Sequence, residues 1–261
     1  MSFRLVLSFA SMVLLTSLAL PFANAADIVL IGNDTNAAAS MYTESGTFLG
    51  HLGAFSGSTG TAFDGLGHAY VDYGGTGTIR EFDGSGTLLN TIAFAQGFGE
   101  DITYIAGTLW VSAAAGTFYH IDLAGNLLGS FAGAFGDGIT TDGTFLYTSD
   151  GFGGSGVITQ RNLAGVATGV TISTGFSSNL SLGYDAAHNT FWMGRLNEIG
   201  EFNFAGANVG GFLTTTDSDF YHDGVAVGSF STTSTPEPSS MLLLAPVLAG
   251  MVIARRRRKQ A

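Results

Sequence analysis

Three carboxylates, Glu100, Asp137 and Asp223, stand at equivalent positions of a repeating unit, with Ser178 at a fourth. Oxygen donors in such an arrangement suit a hard ion such as Ca²⁺, which takes six to eight oxygen ligands. The competing reading is a solvated rim of like charge. The five histidines, His51, His68, His120, His188 and His222, form no His-x-x-x-His or Glu-x-x-His pair that would present metal ligands on one face. His68 and His188 fall in turns. No Gly-x-Ser-x-Gly elbow marks a nucleophile. The glycine-rich runs Asp72–Gly77 and Asp150–Gly156 have no following Lys and open no helix, so they are not phosphate loops. The sequence therefore identifies no catalytic residue and no organic cofactor. Were the chain an enzyme, its acids and bases would have to converge from distant segments, with His120 or His222 beside the acidic positions.

Charge narrows the partners. All twenty carboxylates lie between Asp27 and Glu237, against Arg80, Arg161 and Arg195 in the same span, a balance of −17. Such a surface repels phosphates, which excludes the electrostatic attraction behind nucleic-acid binding. It favours cations and neutral partners, and it keeps an exported protein soluble. The absence of Cys excludes disulfides, thiolate metal sites and thiol redox chemistry. Thirty-nine Gly, four Pro and many Phe, Thr and Ser indicate turn-dense all-β structure.

The elements that must position these residues repeat. The pattern Met41–Leu49 returns as Glu81–Leu89, His120–Leu128, Gln160–Gly165 and Glu201–Val209. Its turn glycines stand at 46, 86, 125, 165 and 206, a period close to 40 residues. Each hairpin follows an apolar strand, as at Ala69–Val71, Leu109–Val111, Phe145–Tyr147 and Phe191–Met193, and a shorter strand precedes that one. Asp-Gly at 64–65 and 142–143 suits tight turns. About 40 residues and four strands make one propeller blade. Asp27–Leu30 reads as a second strand and His222–Val227 as a first strand, so the two ends can complete one blade. The expectation is a five-bladed β-propeller; a stacked β-solenoid is the alternative. The Asp142-Gly143-x-x-Leu146-Tyr147 run resembles NHL-type propeller repeats, a resemblance that implies architecture and not chemistry.

Both ends read as targeting material. Residues 1–25 have Arg4, an apolar run from Leu5 to Leu20, Pro21 and the small residues Ala23 and Ala25, the form of a signal peptide cleaved after Ala25 by signal peptidase. The propeller ectodomain is then 26–231, followed by a linker over 232–240 containing Pro236, Glu237 and Pro238. An apolar helix over 241–254, short for a full span, precedes the basic tail of 255–261, with Arg255, Arg256, Arg257, Arg258 and Lys259 holding the C-terminus in the cytoplasm.

Pro-Glu-Pro, small polar residues, a Leu/Ala/Gly-rich helix and a terminal Arg cluster, in that order over 236–259, resemble the PEP-CTERM sorting signal of Gram-negative bacteria. The resemblance implies recognition of the tripeptide by an exosortase, a membrane protease that releases the protein from its helix. It also implies an association with extracellular polysaccharide and biofilm. On this reading the protein is a membrane-tethered intermediate and then a surface or extracellular one. Its expected role is non-enzymatic binding of an extracellular partner such as polysaccharide. A propeller lyase or hydrolase with its site in the central channel, and a passive structural matrix protein, are the alternatives.

Overall fold

The computed structural model describes residues 27–33, 38–133, 138–214 and 221–230. The signal segment, the Pro236–Pro238 tripeptide, the sorting helix, the basic tail and Asp137 lie outside the described residues. Among the described residues the chain forms five four-stranded antiparallel sheets, the blades of a propeller. Blade 2 runs Thr61–Phe63, His68–Tyr73, Thr78–Asp83 and Leu88–Ala93 from axis to rim. Blade 3 runs Gly99–Ile105, Thr108–Ala113, Thr117–Asp122 and Leu127–Ala132. Blade 4 begins at Ile139–Thr141 and blade 5 at Ser181–Asp185. Blade 1 joins the two ends: His222–Gly228 is its first strand and pairs antiparallel with its second, Ile28–Asn33, in the register Val225↔Ile31 and Val227↔Val29. The half-blades expected from the sequence therefore close the ring, which leaves no free edge at the axis.

The repeated hairpin is one turn built five times. At its start Asp83 Oδ1 accepts the N–H groups of Ser85 and Thr87, both at 2.9 Å. Asp122, Asn162 and Asn203 do the same for the second and fourth residues that follow them, and Thr43 Oγ1 accepts the N–H of Thr47. A short polar side chain that satisfies its own turn is why an acid, amide or hydroxyl recurs there. The turn glycines have φ between +79° and +86°, where a Cβ would be strained. Every one of these hairpins also has a bulge at its mouth, between Glu81 and Phe82 in blade 2 and between His120 and Ile121 in blade 3. Bulges add local twist, which each blade requires.

Each seam between neighbouring blades holds one apolar cluster. Tyr70, Ile79 and Ile92 of blade 2 meet Ile102, Leu109 and Ile121 of blade 3. Trp110 and Phe118 meet Ile139 and Leu146 at the next seam, and Val29, Tyr42 and Val225 meet Trp192 and Ile199 at the closing seam. Second strands lie between two seams, so runs such as Val29-Leu30-Ile31 are buried on both faces and lose the polar alternation of a one-sided sheet.

Toward the axis the strands approach until side chains no longer fit. A Cβ on Gly60 would lie 2.6 Å from the Ile102 nitrogen and 2.8 Å from the Asp101 backbone. Gly224 would meet the Thr59 carbonyl oxygen at 2.2 Å. Backbone cannot yield as a side-chain tip can. Gly60→Ala is therefore expected to destabilise the propeller by about 1–3 kcal/mol, the usual cost of overpacking. Gly129→Ala, where nothing lies within 4 Å, should change stability by less than about 0.5 kcal/mol. Urea unfolding of both variants distinguishes the two sites.

Candidate functional site: the central channel and its two ends

The layer that contains Gly60 fixes the channel. Strand pairing makes Asp101 equivalent to Ser181 and Gly224, through their partners Ser112, Gly194 and Gly32. Gly60 and Gly138 complete the layer through backbone bonds to Asp72 and Ser149. Four blades thus offer Gly or Ser to the axis and one offers an acid. Asp101 is fully buried and its carboxylate fills the space the others leave. Oδ2 accepts the N–H of Leu182 at 3.0 Å and of Ile139 at 3.1 Å, while Oδ1 accepts that of Ile102 at 2.9 Å. Burial pushes the Asp101 carboxyl well above its ordinary range, opposed by these donors and by the N–H of Thr61. One side chain therefore binds blades 3, 4 and 5 together at the axis.

Of the acids singled out from the sequence, Glu100 and Asp223 lie one residue nearer the channel's entrance. Glu100 occupies the bulge between Gly99 and Asp101 and is half-buried. Asp223 is buried at the equivalent place in blade 1. Ser178 is not equivalent to them: it sits in the loop before blade 5 with φ +54°, and Leu180 takes the matching position. The misalignment arises because the loops that lead into first strands differ in length. Asp101 is the residue that aligned acids alone miss. Its signal was the column of small residues Gly60, Gly138, Ser181 and Gly224 broken by a single carboxylate.

Beside Asp101 lies a second acid out of pattern. Asp72 is equivalent to Gly32, Ser112, Ser149 and Gly194 in the other blades. Ser112 and Ser149 accept the N–H groups of Asp101 and Gly138. Asp72 does nothing comparable. Burial raises its carboxyl to about 7; the charge of Glu100 adds to the rise, and the nearby Tyr73 N–H pulls the other way without closing to hydrogen-bond geometry.

Past Asp101 the channel opens at the far ends of the first strands. A cavity of about 80 Å³ between Thr61, Thr103, Thr140 and Tyr184 leads toward a mouth of about 480 Å³ walled by Asp27, Asp64 and Asp185. Two histidines pair with that wall. His68 Nδ1 lies 2.9 Å from Asp64 and 3.3 Å from Glu81, and His188 Nδ1 lies 2.7 Å from Asp185 and 3.5 Å from Glu44. The other oxygen of each Asp caps its turn, accepting Leu66 and His68 N–H or Ala187 and His188 N–H. Glu44, Asp185 and His188 place ligand-type atoms within 4.8 Å of one another, here joined as ion pairs. The two histidines favoured from sequence stand elsewhere in the fold. His120 stacks on Trp110 with ring centroids 4.6 Å apart and bonds Thr108. His222 is buried against Thr214 and Asn33.

Two outcomes follow. Asp101→Ala leaves the N–H groups of Ile139 and Leu182 buried without a partner, at about 1–3 kcal/mol each, and Asp101→Asn, which keeps one acceptor oxygen, should cost less in the same unfolding measurement. The hydrogen bond to Asp185, with the charges of Asp185 and Glu44, holds the His188 pKa above 6.5. The stabilisation from that pair is complete below 6.5 and is lost as pH rises through the raised value. An NMR titration should show the raised pKa in the native protein and its return toward 6.5 in Asp185→Asn.

Residues 234–259 match the PEP-CTERM protein-sorting motif. A search of curated proteins finds no match to this chain. Among solved structures the chain is similar to Myxococcus xanthus glutaminyl cyclase, at 16% identity and a TM-score of 0.47 over 65% of this chain and 69% of that one. It is also similar to a chain of the mitotic checkpoint complex, at 18% identity and a TM-score of 0.43 over 72% and 62%. The motif implies an exported chain, a membrane-held sorting intermediate and processing by an exosortase. The protein is a five-bladed β-propeller that carries a C-terminal PEP-CTERM sorting motif.

Proposed function

We propose that this protein is a non-enzymatic binding module of the cell surface or extracellular matrix. On this reading signal peptidase removes residues 1–25, an exosortase acts at Pro236–Pro238, and the released propeller binds a neutral extracellular polysaccharide. The observation that carries the reading is a set of exposed aromatic rings at one end of the ring of blades. Phe98 and Tyr221 immediately precede first strands, and Phe152 lies in the loop between the second and third strands of blade 4; they are 38%, 40% and 62% exposed. In an up-and-down blade those connections share one face. The Ser178 N–H bonds the Gly154 carbonyl at 3.0 Å, which ties two such loops together. Aromatic faces stack on the apolar faces of sugar rings, and an acidic surface disfavours anionic polymers.

A lyase or hydrolase is the second reading. Its support is the opposite mouth, where His68 and His188 pair with carboxylates that line the cavity. Retention of the ectodomain on a glycan array and on matrix material tests the first reading. The wild type should be retained, and Phe152→Ala should lose several-fold in affinity, on the scale of about 1 kcal/mol for one ring contact. Retention no better than that of an equally acidic control protein rejects polysaccharide binding and leaves a passive matrix role. Depolymerisation of a glycan by the wild type but not by His188→Ala would establish the enzyme instead.

A further inference from the structure

Asp72 is the buried acid that the fold does not use. It is 0% exposed, and neither carboxylate oxygen has a hydrogen-bond partner. The contrast with Asp101 is direct. Both carboxylates are fully buried, both replace the Gly or Ser of other blades, and only Asp101 is surrounded by donors. Asp72 projects from the end of blade 2's second strand against the start of blade 3's first strand. There Gly99 admits it: a Cβ on Gly99 would lie 1.8 Å from Asp72 Oδ2. The next residue, Glu100, stands on the bulge, and its charge acts on Asp72. The Gly99 carbonyl oxygen accepts the Thr59 hydroxyl at 2.9 Å.

An ionised carboxylate without partners is costly to bury, and a second carboxylate beside it makes the cost larger. Protonation removes the charge. A cation removes it and also gives both oxygens a partner. Asp72 and Glu100 both offer carboxylate oxygens, which suit hard ions better than nitrogen- and sulfur-seeking transition metals. We propose that Asp72 and Glu100 bind a Ca²⁺ ion at the seam between blades 2 and 3. The site takes Glu100 from the acids aligned in the sequence and adds a residue from a different strand. Ca²⁺ tolerates irregular coordination completed by water, whereas Mg²⁺ demands a near-octahedral shell. The bound ion fastens the end of one blade to the start of the next. This inference does not depend on what the aromatic face binds.

The test uses the ectodomain of residues 26–231, whose ring closes within residues 27–230, after chelator treatment. Calorimetry and thermal unfolding are followed with CaCl₂ and, separately, MgCl₂. The wild type should take up one Ca²⁺, and at a roughly 100-fold excess over Kd its midpoint should rise by several degrees. Mg²⁺ should do markedly less. Glu100→Gln should weaken Ca²⁺ binding at least tenfold. Asp72→Ser copies the residue of blades 3 and 4, so it should fold, unfold at a higher temperature than the ion-free wild type, and show no response to Ca²⁺. A wild type with neither heat nor midpoint shift at millimolar Ca²⁺ overturns the proposal, whatever the stability of Asp72→Ser. So does an Asp72→Ser protein that still binds Ca²⁺ with wild-type affinity.

Discussion

Five strands converge on one axis, and at the level of Asp101 there is room for one side chain larger than serine. That steric limit organises the interior. Gly60, Gly138 and Gly224 let neighbouring backbones approach to distances no Cβ would permit, and Ser181 is small enough to share the layer. Closing five backbones so tightly leaves inward N–H groups that need an acceptor. Asp101 supplies it, at the cost of burying a carboxylate. The hydrogen bonds and the desolvation oppose each other, and the geometry favours the bonds because the donors come from rigid strands of other blades.

The packing outward from that layer follows from the same convergence. Blades fan out from the axis, so each seam widens and must be filled by larger groups. Small residues line the centre, aliphatic side chains follow, and aromatic clusters such as Tyr42, Phe48 and Phe212 lie farther toward the rim. The capped turn and its bulge recur in every blade because each sheet must twist by a similar amount to meet the next. Closure by His222–Gly228 against Ile28–Asn33 joins the first and last described strands in one blade.

The charge of the molecule is distributed with equal economy. The three arginines among the described residues all lie over aromatic rings: Arg80 over Phe55 and Tyr73, Arg161 over Phe131 and Arg195 over Phe176. Most described aspartates are occupied with backbone. Asp64, Asp83, Asp122, Asp142, Asp150 and Asp185 each cap a turn or loop. Part of the acidic surface thus also builds the turns, and the caps keep those groups ionised, as at Asp83 and Asp122. Against that background an unbonded, fully buried Asp72 is an exception that calls for a ligand.

The sequence by itself determined the architecture and the C-terminal sorting motif. The 40-residue phase of the turn glycines, the caps beside them and the matching half-blades at the two ends are local properties, because a turn needs its own residues wherever the rest of the chain lies. The sorting tail is local for the same reason: the motif lies in one short run of consecutive residues. Chemistry at the axis was decided only by the tertiary structure. Which acid reaches the centre depends on pleat and register, and a one-residue step separates half-buried Glu100 from buried Asp101. The alignment of Ser178 failed because loop length is free to vary where strand register is not. The pairing of His188 with Glu44 joins residues more than a hundred positions apart, across a seam that exists only once the ring has closed.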